Sequence, residues 1–215
     1  QRARQANYPA RKLEQLEAGL VERYCERQAD GSFRWVQASG MARSDDPERP
    51  PVRIAGSMVD ISARKQVEDQ LLQGALYDPL TALPNRLLLQ DRARQALAHA
   101  RRDGKSVAVM YIDLDGFKQI NDTLGHDMGD KLLVQLAKRL TGAVRVSDTV
   151  CRQGGDEFVV MLPSIDTAEQ ACHVANKIMA ACSPAYVIND QVLSVGLSGG
   201  IALFPEHGQD FDELS

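Results

Sequence analysis

The chain lacks any long apolar run. Its longest uninterrupted stretch is VAVMYI at residues 107–112, far short of the ~20 residues a membrane-spanning helix needs. Gln1 opens no signal peptide. No membrane contact is expected of this segment, which belongs in the cytoplasm, and any anchor of the full-length protein would lie outside it. A basic excess is also missing: 25 Lys+Arg against 29 Asp+Glu give a formal net charge of -4 and a pI near 5.6. That balance leaves no electrostatic footprint for a DNA or RNA polymer. Cys25, Cys151, Cys172 and Cys182 form no Cys-x-x-Cys pair and have no histidine at zinc-ligand spacing, so they read as reduced, mostly buried thiols. Neither a Walker A sequence nor Gly-x-Gly-x-x-Gly occurs, which removes P-loop hydrolysis and dinucleotide redox chemistry. Repeats and low-complexity tracts are absent too.

What remains is a chain of 215 residues, 44% hydrophobic and 25% charged, long enough for one large domain or two small ones. Residues 64–77, RKQVEDQLLQGALY, divide it as a connecting helix whose apolar stripe of Val67, Leu71 and Leu72 is shorter than a coiled coil normally requires. Before it, a helical lead-in around residues 11–22 precedes two strand-like runs separated by the turn-rich SDDPERPP. Trp35 and Met58 on those strands read as core residues. After it, Asp78 and Pro79 suit a helix N-cap and first helical position. Helices and strands then alternate. Leu89, Ala93, Ala96, Leu97 and Ala100 mark one helix, Leu132, Leu133, Leu136 and Leu140 a second, and Ala168, Ala171, Cys172, Ala175, Ile178 and Met179 a third. Strands are predicted at SVAVMYIDLD, on both sides of Gly154-Gly155, and at LSVGLSGGIALF, so this part is α/β.

Two groups of acids call for an explanation. Strand alternation puts Val107, Val109, Tyr111, Asp113 and Asp115 on one face, and a carboxylate at the end of a buried strand is costly unless a cation meets it. For Asp115, which precedes Gly116, a cap or turn role stands beside a metal role. The second group is Asp156 and Glu157, following two glycines that suit a hairpin turn but do not account for adjacent negative charges. If the hairpin pairs beside the Asp113 strand, Asp156 approaches Asp113 in an oxygen-rich site suited to magnesium and hence to phosphate chemistry. On residue types alone, NDTLGHDMGD reads as the start of a helix with Gly125 and Gly129 as turn residues and His126 structural. Arg145-Val-Ser-Asp148 alone reads as an exposed ion pair one helical turn apart.

Four ordered motifs carry a more specific meaning: DPLTALPNR at 78–86, DLDGFKQIND at 113–122, GHDMGD at 125–130 and GGDEF at 154–158. Together they resemble a GGDEF diguanylate cyclase domain over residues 78–215. The resemblance implies a palm-like nucleotidyl-cyclase fold, a central mostly antiparallel sheet flanked by helices. It also implies condensation of two GTP molecules into cyclic di-GMP by a homodimer. Carried over to matching positions, Asp113 and Asp156 would bind Mg²⁺ or Mn²⁺, two per half-site, with the Leu114 carbonyl. Asp156 would also be the base, Glu157 would support the metal site, and Lys118 would neutralise phosphate charge. Asn121, His126 and Asp130 would contact substrate, with Asn121 and Asp130 on the guanine, while Gly154 and Gly155 admit the triphosphate. Arg145 and Asp148 match an inhibitory site for the product. A further helix with basic residues would follow beyond Ser215, leaving this domain truncated at its C-terminal end, and a phosphodiesterase domain often follows in such proteins.

Residues 1–63 resemble the C-terminal half of a PAS sensor domain, on the stretch from DGSFRWVQ to DISARKQVEDQL, with the helix at 64–77 as its signalling output. A non-catalytic receptor for GTP or cyclic di-GMP, and a PAS-plus-helix dimerisation module, are the other functional readings. Retention of Asp113, Lys118, Asp156 and Glu157 favours the enzyme.

Overall fold

The structure is a computed structural model that describes residues 20–43 and 53–214. The chain forms two compact units, Gln1–Leu72 and Gln73–Ser215.

In the first unit, β1 (Leu20–Arg27), β2 (Phe33–Arg43) and β3 (Arg53–Asp60) form an antiparallel sheet in the order β1-β2-β3. Asp30 closes the β1–β2 turn, its Oδ1 accepting from the Ser32 N–H at 2.9 Å and hydroxyl at 2.6 Å, and Gly31 supplies the positive φ of 86°. The helical lead-in expected over 11–22 is corrected at its end, where Leu20–Glu22 belong to β1; residues 11–19 and SDDPERPP lie outside the described residues. Trp35 and Met58 are not core residues: they are 39% and 60% exposed, and the Lys65 ammonium sits 5.7 Å from the Trp35 ring. The connecting helix is α1 (Ser62–Leu76), opened by Asp60, whose Oδ1 accepts from the Ser62 N–H at 2.9 Å. No residue of α1 is buried, and Val67, Leu71 and Leu72 are all more than half exposed.

The second unit is built on a four-stranded antiparallel sheet in the order β5-β6-β4-β9. These strands are β4 (Ser106–Leu114), β5 (Thr149–Gly154), β6 (Glu157–Ile165) and β9 (Leu197–Phe204). Both faces are covered, which is why β4 and β6 read as nearly continuous apolar runs rather than alternating ones. On one face α2 (Arg86–Asp103) buries Leu89, Ala93, Leu97 and Ala100 against Val107, Val109, Cys151, Val159 and Met161. On the other, α4 (His126–Ala143) and α5 (Ala168–Cys182) pack Leu132, Leu136, Leu140, Ala171 and Ile178 over Met110, Ile112, Phe158 and Val160. Each fully buried leucine of these stripes contributes about 1.5–3 kcal/mol.

Three local expectations are revised. The α2 N-cap is Asn85, whose side chain accepts from the Leu88 N–H, and not Asp78. Asp78 is engaged elsewhere and leaves 78–84 as a loop. Gly129 is not a turn residue but a buried position within α4: a Cβ there would fall 2.0 Å from the Asn121 Oδ1 of α3 (Phe117–Leu124), so a larger residue would displace that side chain. The strand predicted at 193–204 is two, since β8 (Gln191–Leu193) pairs with β7 (Tyr186–Ile188) through a tight turn in which Asn189 and Asp190 both have positive φ. Among the cysteines, Cys151 and Cys182 are buried and Cys172 is exposed; burial pushes the Cys151 thiol up to about 12, leaving it unreactive.

Candidate active site

Strand register brings the two groups of acids together. β4 pairs antiparallel with β6, Ile112 opposite Phe158. One step further along the ladder, Asp113 reaches the level of Glu157 and the hairpin turn. The turn residues are Gly155 and Asp156, flanked by the paired Gly154 and Glu157, with a bulge between Arg152 and Gly154. Gly154 and Gly155 have φ of 152° and 52°, values that favour glycine. Burial and then the neighbouring Asp156 carboxylate hold the Asp113 carboxyl above its ordinary range, while a hydrogen bond from the Leu114 amide opposes them. Two carboxylates so placed would be stabilised by a cation between them.

Asp115 has a structural role. Its Oδ1 accepts from the Ser198 hydroxyl at 2.6 Å and its N–H donates to the Gly196 carbonyl at 3.0 Å, tying the end of β4 to the start of β9. A Cβ on Gly196 would fall 2.4 Å from the Asp115 Oδ2.

A cavity of about 670 Å³ opens beside Asp113. Its walls include Arg86 and Gln90 of α2, Asp113, Gln153 and Glu157, Ser198 to Gly200 of β9, and Phe211 and Asp212. The volume lies within the ~300–1,000 Å³ typical of small-molecule sites. Among the described residues no group of three or more His, Cys, Asp or Glu could enclose a metal. The donor set that does exist, Asp113 and Asp156 with the Leu114 carbonyl nearby, fits a hard cation that keeps positions open for phosphate oxygens. Leu114 is 2% exposed, its side chain part of the core, so only its backbone could take part.

The remaining expected site residues fall on neighbouring elements. Lys118 is exposed on α3, and His126 and Asp130 are exposed on α4; with Asn121 of α3, none of them lines the cavity. The Asn121 Oδ1 is buried against Gly129 and has no hydrogen-bond partner among the described residues. Arg145 and Asp148 do not form the exposed ion pair that residue types alone suggest. Instead the Asp148 Oδ2 accepts from the Arg145 N–H at 2.9 Å, and the Asp148 N–H donates to the Arg145 carbonyl at 3.0 Å. The result is a closed turn with a fully exposed Val146 at its tip.

Sequence reasoning missed Arg86 and Arg152. Among the described residues Arg86 is the single cation lining the cavity, and Arg152 bonds Asp78 and the Gly155 carbonyl at once. Their positions, ending one motif and two residues before the glycines of another, were visible. Their partners were not, since those come from strand pairing.

Comparison with known proteins agrees with this layout. Residues 75–215 match the family model described as "Diguanylate cyclase, GGDEF domain". The chain is 46% identical over 145 residues to the bifunctional diguanylate cyclase/cyclic di-GMP phosphodiesterase MucR of Pseudomonas aeruginosa, covering 67% of this chain and 21% of that protein. It is 43% identical over 147 residues to diguanylate cyclase TpbB of the same organism, covering 67% of this chain and 34% of TpbB. A solved structure of the TpbB GGDEF domain superposes with a TM-score of 0.63 at 42% identity, over 64% of this chain and 81% of that one. This chain therefore spans between about a fifth and a third of the length of these curated relatives. With the Asp113–Asp156 pair at the turn between β5 and β6, the chain belongs to the GGDEF diguanylate cyclase family.

Proposed function

We propose that the second unit condenses two GTP molecules into cyclic di-GMP with release of two pyrophosphates. The observation that carries this reading is the meeting of Asp113 and Asp156 beside a cavity of nucleotide-binding size. In each transfer the 3′-oxygen of one GTP bonds to the α-phosphorus of the other, the bond from that phosphorus to the β-phosphate bridging oxygen breaks, and pyrophosphate leaves with the electron pair. The 3′-hydroxyl proton passes to the Asp156 carboxylate. Repeating the step in the opposite sense closes the ring.

Mg²⁺ or Mn²⁺, two per half-site and held by Asp113, Asp156 and the Leu114 carbonyl with Glu157 in support, would supply neutralisation of the phosphate oxygens. Lys118 adds positive charge to the transition state, where transfer of this kind gains most. Gly154 and Gly155 let the backbone come close to the triphosphate; a Cβ at either would meet nothing within 4 Å, so the turn is open. Asn121 and Asp130 recognise guanine and His126 contacts substrate. Guanine offers N–H groups that adenine lacks at the same edge, and the Asp130 carboxylate would accept from them.

A symmetric product made from two GTPs fits a homodimer with half a site on each protomer. The exposed stripe of α1 supports that association, and the β-rich first unit, as a partial PAS sensor, would set the alignment of the two halves. Arg145 and Asp148 form the site at which cyclic di-GMP inhibits, the guanidinium meeting phosphate or guanine and the carboxylate accepting from guanine N–H. Consumption of GTP makes the cytoplasm the place of action, and no helix among the described residues is long and apolar enough to cross a membrane.

The test is incubation of the full-length protein with GTP and Mg²⁺, with chromatographic identification of cyclic di-GMP. Product from the wild type and none from Asp156→Ala is expected. GTP binding by a dimer that makes no product would instead establish the receptor reading. In the same assay Arg145→Ala should abolish feedback, and unchanged inhibition by added product would remove the inhibitory site.

A further inference from the structure

The turn that carries Asp156 is built on Gly154 and Gly155, with φ of 152° and 52°. Its two glycines have the widest backbone freedom of any residue, and a Cβ built on either would meet nothing within 4 Å. One group fixes it. The Arg152 guanidinium donates to the Gly155 carbonyl from Nε at 3.0 Å and from Nη2 at 2.8 Å. Its Nη1 donates to both carboxylate oxygens of Asp78, each at 3.0 Å. Both side chains are largely buried, 11% and 15% exposed.

Asp78 is itself immobilised, accepting from the Thr81 N–H at 2.8 Å and hydroxyl at 2.6 Å. The Arg152 N–H donates to the Pro84 carbonyl at 3.1 Å, and Asn85 bonds the last turn of α1, through its N–H to the Leu76 carbonyl and its side chain to the Ala75 carbonyl. A continuous set of hydrogen bonds thus runs from the end of α1 to the Gly155 carbonyl. Because a trans peptide is planar, pinning that carbonyl toward Arg152 turns the Asp156 N–H to the opposite side and sets where the Asp156 side chain begins.

We infer that Arg152 is a positioning residue that fixes the Gly155–Asp156 peptide relative to the end of α1, and so holds Asp156 in register with Asp113. This rests on the reading of Asp156 as a metal-binding and proton-accepting carboxylate. A planar fork gripping a carboxylate and a carbonyl at once is a task lysine cannot perform, which separates geometry from charge.

The experiment compares full-length wild type with Arg152→Gln and Arg152→Lys. Amide hydrogen exchange is read across the hairpin and α4, the Mn²⁺ concentration for half-maximal activity is measured, and kcat is separated from KM for GTP. Both variants should accelerate exchange at the 154–157 turn at least tenfold while leaving α4 unchanged, raise the Mn²⁺ requirement at least tenfold, and lower kcat more than they alter KM. Uniformly faster exchange with an unchanged Mn²⁺ requirement would mean that Arg152 only stabilises the fold, and full recovery by lysine would mean that charge suffices; either overturns the inference. If the wild type makes no cyclic di-GMP, the functional reading fails by itself, and the exchange data still decide whether Arg152 governs the turn.

Discussion

At the scale of single residues, the site depends on what glycine omits as much as on what aspartate supplies. A Cβ on Gly199 would lie 2.2 Å from the Tyr111 carbonyl oxygen, a backbone atom of β4 that cannot move aside without opening the β4–β9 ladder, while one on Gly200 would meet nothing within 4 Å. Gly199→Ala should therefore cost about 1–3 kcal/mol of stability and Gly200→Ala little, though both residues line the cavity. Thermal unfolding of the two variants checks the contrast, and equal losses would mean that β9 is not held as described. Such positions could not be read in advance: the sequence LSGGIALF shows two glycines in a strand but not which one faces a backbone oxygen. Asp113 was legible, because an acid inside an apolar run stands out. Asp115, two residues away, looked equivalent and differs only in its partner, the Ser198 hydroxyl.

At the scale of elements, the loop between α1 and α2 does more than connect them. Asp78 loses solvation on burial, which raises its carboxyl pKa, but the hydrogen bonds from Thr81 and Arg152 and the Arg152 charge outweigh that, and the carboxyl lies below its ordinary 3.8. A carboxylate with a depressed folded pKa contributes stability that is complete above the ordinary value and is lost as pH falls through the lower folded one. Asp78→Asn should thus destabilise at pH 7 by about 1–3 kcal/mol, with the gap from wild type closing below roughly pH 4. Melting curves across that range test it, and a gap independent of pH would show that the ion pair is not its source. Helical periodicity identified α2, α4 and α5, because their buried stripes follow the 3.6-residue repeat, and the paired glycines identified the hairpin. The N-cap at Asn85 was missed since Asp78-Pro79 imitates a cap, and the β7–β8 hairpin since its strands are only three residues each.

At the scale of the whole molecule, the β-rich unit, α1 and the α/β unit follow the order that the sequence motifs imply, with a strand, β1, where a helix was expected at residues 20–22. If the product is made between two protomers, the rate per protomer should rise with protein concentration until the dimer is saturated. Leu71→Lys, which charges a residue that is 69% exposed on a helix burying nothing, should shift that rise to higher concentration without altering the fold. A rate per protomer independent of concentration in the variant and the wild type alike would argue for a complete site on one chain. The register of β4 against β6 makes a stricter demand, that Asp113 and Asp156 act as one unit. The most direct measurement is the rate of cyclic di-GMP formation from GTP by wild type, Asp113→Asn, Asp156→Asn and the double variant. Each single change should lower the rate at least about a hundredfold, with the double variant no worse than the weaker single, as for residues that share one task. Product formation undiminished by either change, or losses that simply multiply, would contradict a common site.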